Sequence, residues 1–345
     1  MSASGNSLKD KKTATKLAHA GRDPQAHNGA VNVPVYQVST ILKPSYAAWK
    51  EARQPDYPGY IYGTKGTPTS RSFEAAVTEL YGAKDAFATT SGLAAVTHPF
   101  LGLLQAGDHV LVTDSAYRPC RAFCDGFLSR YGVATTYYDP LIGAGIADLI
   151  QPNTKLVWTE SPGSQTFEIQ DIPAIAEAAH AKGCLVGIDN TWGTALGLDA
   201  LGKGCDIVVE AVTKYIGGHS DLLMGLVATG ERVGPELRQR AKLIGDTPSG
   251  DMYALANRGL RTMKLRFEKS FENSLKVAAW FERQPSVKRV IHPGLPSHPQ
   301  HDLWKRDFTG GAGLFAVILE SRDEAAIGAM MDGLSFFGIG ASWGG

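Results

Sequence analysis

Lys214 lies in the run TKYIGGHSD, 25 residues after Asp189 in CLVGIDNTW. A lysine amine can form a Schiff base with an aldehyde, and a carboxylate can hold the proton of a pyridinium nitrogen. Those are the two anchors a pyridoxal phosphate enzyme needs. The lysine is flanked by Thr213 and, further on, by Gly217 and Gly218, and an apolar run precedes it. Partial desolvation there would lower its pKa and make it reactive. Asp189 ends an apolar run, where a carboxylate is costly unless it meets a positive charge or hydrogen-bond donors. Each residue also has an ordinary alternative: a solvated surface lysine, and an aspartate that caps a helix or opens a turn.

Other segments offer what such a site would still lack. In TTSGLAAV (89–96), Ser91 and Gly92 stand just before an apolar helical start, whose N–H groups and dipole suit a dianionic phosphate. A Ser-Gly start is also a plain capping motif. Thr213 can add a hydroxyl to the same phosphate. Tyr117 in TDSAYRP can stack on a flat ring, or be a core or interface tyrosine. Tyr62 in YIYGTKGTPT sits in a proline-broken segment and makes more sense reaching a neighbouring subunit than packing locally. IGAGIAD (142–148) contains G-x-G, but Asp148 stands at the third glycine position, so a loop is the better reading than a dinucleotide fingerprint.

Positioning these residues requires a particular set of elements. HVLVT (109–113), VATTYY (133–138), KLVWTE (155–160), CLVGID (184–189), DIVVEA (206–211) and LMGLVAT (223–229) are short apolar runs. Helical patterns such as RSFEAAVTELYG, stopped by Gly82, and IPAIAEAAHAKG, closed by Gly183, alternate with them. That alternation predicts an α/β fold with a mainly parallel sheet covered by helices. Ligands in such sheets bind beyond the carboxyl ends of the strands. Tyr117, Glu160, Asp189 and Lys214 all follow strand-like runs closely. A long helix is expected from about Met252 to Arg283, with Leu255, Leu260, Met263 and Phe267 near one face, and GLFAVIL follows as a strand. The expected organisation is an arm over 1–60, a large domain over 61–255 and a smaller α+β domain over 256–345. The chain stops at ASWGG without a closing element, so the sequence is expected to be cut short.

Composition bounds the rest. The 345 residues are 43% hydrophobic and 20% charged with net charge zero, which gives no electrostatic reason for a nucleic-acid or anionic-membrane partner. The four cysteines have no zinc spacing and suit free thiols in a reducing compartment. No signal peptide and no long apolar stretch is evident, and the expected location is cytoplasmic. No metal is implied.

Taken as a set, HAGR, GAVNVPVYQVST, YGTKGTPT, SGLAAV, TDSAYRP, YDPLIGAGI, ESPGS, IDNTW, TKYIGGHSD, RGLRT, LWKRDFTGGAGLF and SWGG resemble the Cys/Met-metabolism family of fold-type I pyridoxal phosphate enzymes, and within it the β-lyase group. The resemblance runs from the arm to the final residue. It implies an aspartate aminotransferase-like fold with a seven-stranded-type sheet, and a homotetramer built from dimers with shared active sites. It implies Lys214 as the Schiff-base lysine, Asp189 as the pyridinium partner and Tyr117 on the ring. Gly92 and Leu93 would give N–H groups to the phosphate, Thr213 its hydroxyl, and Tyr62 a contact from the neighbouring subunit. Ser342 and Trp343 would line the pocket of an amino-acid substrate. The implied reaction converts L-cystathionine and water to homocysteine, pyruvate and ammonia. The γ-synthase, γ-lyase and methionine γ-lyase activities are the alternatives, together with an inactive truncated homologue. Three departures stand out. Tyr62-Gly63-Thr64 replaces the family's Tyr-x-Arg, leaving Lys65 as the nearest cation. Ala211 stands where a serine is common, and the arginine that clamps the substrate carboxylate lies past the end of this sequence.

Overall fold

The computed structural model describes residues 8, 10–54 and 57–344. Gly345 of the final SWGG, Pro55 and the first residues of the 1–60 arm lie outside them. The strands are β1 Asp85–Thr89, β2 His109–Thr113, β3 Ala134–Tyr138, β4 Thr154–Glu160, β5 Leu185–Asp189, β6 Ile207–Glu210, β7 Gly225–Thr229, β8 Val287–Ile291 and β9 Ala316–Leu319. Each strand expected from the sequence forms, within three residues at either end. The chain divides into two compact units, Met1–Leu104 with Asp206–Lys264, and Gln105–Cys205 with Leu265–Gly345.

In the first unit the strand order is β1-β7-β6, and both pairings are antiparallel. β7 is buried along its whole length, as are Val208 and Val209 of β6. Helices Pro68–Tyr81 and Gly92–Leu103 cover these strands. The first begins in a reciprocal cap: Thr67 Oγ1 accepts the Ser70 N–H at 3.2 Å and Ser70 Oγ accepts the Thr67 N–H at 2.8 Å. Pro68 sits at its first position, where no amide is needed, and Gly82 ends it in the left-handed conformation with φ 59°. Its inner face buries Phe73, Ala76 and Val77, of which Phe73 and Val77 each contribute roughly 1.5–3 kcal/mol.

Arg238 fastens the short helix Glu236–Ala241 to that core. Its Nε donates to Asp85 Oδ2 at 2.7 Å and its Nη1 to Glu74 Oε2 at 2.6 Å. Part of the proline-rich amino-terminal region is helical too. Helix Thr13–His19 is held where Arg261 donates to the carbonyls of Leu17 (2.6 Å) and Ala20 (3.1 Å).

In the second unit the order is β5-β4-β2-β3, all parallel. Helix Ile172–Ala181 lies against β5, its start capped by Asp171, whose Oδ1 accepts the Ala174 N–H at 3.2 Å. The Gly-x-Gly segment forms the 3₁₀ turn Gly143–Asp148, packed on that helix. β8 and β9 form a separate antiparallel ribbon. Its Val290 joins Ala278 and Leu295 in a small core with Leu275, Phe281 and Phe315. The long helix spans Gly250–Phe281, close to its expected bounds, and buries Leu260, Met263 and Phe267.

Candidate active site

The carboxyl ends of β4 and β5 bring two acids side by side, because the parallel register pairs Glu160 with Asp189. Same-face side chains at paired positions are neighbours. Asp189 is oriented by Thr191, whose N–H and Oγ1 both donate to Oδ1, at 3.0 and 2.6 Å. Tyr117, after β2, starts the helix Arg118–Gly126, and its N–H donates to Glu160 Oε2 at 2.6 Å. Burial, reinforced by the Asp189 charge, pushes the Glu160 carboxyl well above the usual range, with the Tyr117 N–H opposing. Burial, then the charges of Asp189 and Glu160, raise the Tyr117 phenol. Tyr117 is 42% exposed, so its side chain is not sealed in the core. An oriented acceptor-only carboxylate beside an available aromatic ring suits a flat ligand that presents a positively charged N–H. A pyridinium ring fits that donor set.

The first unit carries the other residues singled out from the sequence. Ser91 caps the helix Gly92–Leu103, its Oγ accepting the Ala94 N–H at 3.1 Å. The amides of the first helical residues, Gly92 and Leu93, have no carbonyl of their own helix to bond. Gly92 must be glycine for another reason: a Cβ there would lie 2.7 Å from the Ala211 Cβ. This helix start is therefore packed directly on the turn that follows β6 and carries Thr213 and Lys214. Ala211, in place of a serine, is part of that close fit.

Lys214 is half-buried within this turn, which is closed by Lys214 N–H to Ala211 O (3.0 Å) and Gly217 N–H to Val212 O (2.7 Å). Thr213 Oγ1 donates to Met224 O at 3.2 Å and accepts the Met224 N–H at 3.0 Å. Its hydroxyl thus pins the lysine turn to the entry of β7, and donating to a phosphate requires it to rotate.

Tyr62 is placed elsewhere. It is exposed, bridged to Thr40, and lines a cavity of about 530 Å³ with Val38, Lys65, Lys242 and Asp246. Gly92, Leu93, Thr213 and Lys214 do not line that cavity. Lys242 was not singled out from the sequence. Burial, followed by the Arg238 charge, lowers its pKa. Ser342 is exposed and Trp343 half-buried in the irregular segment after helix Glu324–Asp332. Glu160 appeared in the sequence only as a residue following a strand. Its neighbourhood depends on register, which no local signal carries.

The sequence profile described as Cys/Met metabolism PLP-dependent enzyme matches residues 14–345. The chain belongs to that family. It is 41% identical over 342 residues to cystathionine beta-lyase MetC of Escherichia coli, covering 98% of this chain and 87% of that one. It is also 39% identical over 341 residues to an L-alanine/L-glutamate racemase of Wolbachia pipientis, covering 95% and 84%. Its fold is similar to the crystal structure of metB from Corynebacterium glutamicum, with a TM-score of 0.92 at 30% identity over 98% and 86% of the two chains. The fold is accordingly that of fold-type I, with a mainly parallel seven-stranded sheet covered by helices. The antiparallel β1, β6 and β7 pairings are its departure from an all-parallel sheet. The protein is a pyridoxal phosphate-dependent enzyme that acts on an amino acid. Among the described residues no helix is long and apolar enough to cross a membrane.

Proposed function

We infer that this enzyme is a carbon–sulfur β-lyase that converts L-cystathionine and water to homocysteine, pyruvate and ammonia. The observation that carries the chemistry is the corner where Thr191 presents Asp189 beside the Tyr117 ring. The substrate choice rests on the E. coli relative. Pyridoxal phosphate, when bound, supplies an electron sink that stabilises negative charge at the substrate α-carbon.

The chain's own residues do the rest. Asp189 keeps the ring nitrogen protonated and Tyr117 stacks on the ring. Gly92 and Leu93 direct N–H groups at the phosphate, with Thr213 able to turn its hydroxyl toward it. Lys214 would hold the cofactor through its amine, and as a free amine it would take the α-proton and then deliver a proton to the departing thiolate. Ser342 and Trp343 line the pocket for the substrate.

Tyr62 serves a neighbouring subunit, with Lys65 as the nearby cation. Exposed apolar side chains in the same region, among them Leu42 at 87% and Tyr46 at 73%, support self-association into dimers that pair as tetramers. The domain limits at 60 and 255 belong to the same reading, as does a cytoplasmic location.

The test is product analysis on purified protein loaded with cofactor. Equal amounts of pyruvate and homocysteine from L-cystathionine are the expected result. A majority of 2-oxobutyrate moves the chain to the γ-eliminating group. Loss of optical activity from L-alanine or L-glutamate, with no keto acid formed from L-cystathionine, moves it to racemisation.

A further inference from the structure

Glu160 has no assigned part in this chemistry, yet hydrogen bonds fix both its backbone and its carboxyl. Its backbone is fixed from behind: Gln170 Nε2 donates to Glu160 O at 2.8 Å, and the Gln170 N–H donates to Ser161 Oγ at 3.1 Å. Gln170 is itself fully buried and held by Tyr138, whose hydroxyl donates to Gln170 Oε1 at 3.0 Å. The Glu160 backbone is thus fixed at the end of β4, and its carboxyl receives the Tyr117 N–H. That amide opens a helix that has no side-chain cap of its own.

We propose that Glu160 is a positioning residue: its carboxyl ties the Tyr117 backbone to the strand end beside Asp189, so the stacking ring and the pyridinium partner are held as one rigid corner. The proposal rests on the reading of Asp189 and Tyr117 given above. The physical argument is one of reach. Tyr117 sits on the segment leaving β2, and Asp189 at the end of β5, with β4 between the two strands. A carboxyl on β4 bonded to the Tyr117 amide links the neighbouring strand ends directly. Stacking depends on ring placement to within a few tenths of an ångström, so a fixed amide is worth more here than at an ordinary helix start.

The role needs an acceptor at Oε2 and not a negative charge, since burial and Asp189 already favour the neutral acid. A glutamine has the same reach and keeps a carbonyl acceptor. An aspartate is shorter by one methylene and withdraws the acceptor. The experiment compares Glu160→Gln, Glu160→Ala and Glu160→Asp as purified apoprotein titrated with pyridoxal phosphate. It records retention of the cofactor and the visible circular dichroism of the bound ring, and it monitors melting of the apoprotein separately.

Glu160→Ala and Glu160→Asp are expected to bind the cofactor about tenfold more weakly, as for one lost hydrogen bond to a charged or strongly polar group. Their visible circular dichroism changes shape, while the apoprotein melts as the parent does. Glu160→Gln restores both readouts. The proposal is overturned if Glu160→Ala and Glu160→Asp match the parent, or if Glu160→Gln is as impaired as they are. It is also overturned if the weaker binding simply follows a lower apoprotein melting temperature. Should Glu160→Ala not fold, the contrast between Gln and Asp decides. Asp189→Ala is the control for the underlying reading. Undiminished cofactor binding in that variant overturns the assignment of the corner itself, whatever Glu160 does.

Discussion

At the scale of single residues, the site depends on where small side chains permit close approach. Gly92 is the clearest case, because any Cβ there meets the Ala211 Cβ at 2.7 Å. Neither is the far end of a flexible chain, so the helix start must shift. Gly92→Ala is expected to destabilise the protein by about 1–3 kcal/mol, the usual cost of overpacking, seen as a lower urea midpoint. Cofactor retention falls with it, since the same shift displaces the amides of residues 92 and 93. Lys214 makes a different kind of demand. Lys214→Ala leaves the turn geometry, which is held by backbone bonds and by Thr213, but removes the amine. Keto-acid release is expected to fall by about a thousandfold or more, because one group that transfers protons typically contributes 10²–10⁴-fold.

At the scale of elements, Arg238 is the joint of the first unit. It binds a carboxylate of β1, one of helix Pro68–Tyr81, and the Ala86 carbonyl from a single guanidinium. Burial of the guanidinium is outweighed by Glu74 and Asp85, which hold its pKa above the ordinary arginine value. Arg238→Met strands two partly buried acids, and such a loss typically costs about 3–5 kcal/mol. Equilibrium unfolding in urea checks this. Replacing Glu74 and Asp85 as well, by Gln and Asn, is expected to recover much of the loss.

The elements themselves were legible in the sequence wherever burial imposes an apolar run: β2, β4, β5, β6 and β7 follow directly from their Val, Ile and Leu content. β1 was not. DAFAT is short, alanine-rich and without a β-branched apolar residue, and it becomes a strand because Ala86 through Thr89 pair in register with β7.

At the scale of the whole molecule, acid should weaken the fold through a buried histidine to which the chemistry assigns no part. His292 is buried with Ser274, whose Oγ lies 2.9 Å from Nε2. The Gly294 N–H donates to Nδ1 at 3.0 Å, so the proton is on Nε2 and points to the serine, which in turn donates to Phe271 O at 2.8 Å. This tautomer cannot activate the serine, and the pair is a satisfied core contact.

Burial lowers the His292 pKa from 6.5 to about 4. The unfolded chain therefore binds more protons as the pH falls below 6.5. Stability is lost from that point downward and the loss levels off below about pH 4, amounting to roughly 3 kcal/mol. His292→Asn should be less stable than the parent at pH 8 but lose less between pH 6.5 and 4.5, as read from denaturant midpoints across that range.

The sequence by itself determined the residue types of a cofactor site, the alternation of strands and helices, and the family, because each is written in local patterns of burial, turns and reactive side chains. Only the tertiary structure decided which of those residues meet. Glu160 adjoins Asp189 because two strands that are separated in sequence pair in one register. The Tyr117 amide reaches that pair because its segment leaves the next strand over. Gly92 abuts Ala211 because a helix start and a strand end pack without room for a methyl group. Those are long-range contacts, fixed by how the core closes, and no window of neighbouring residues contains them.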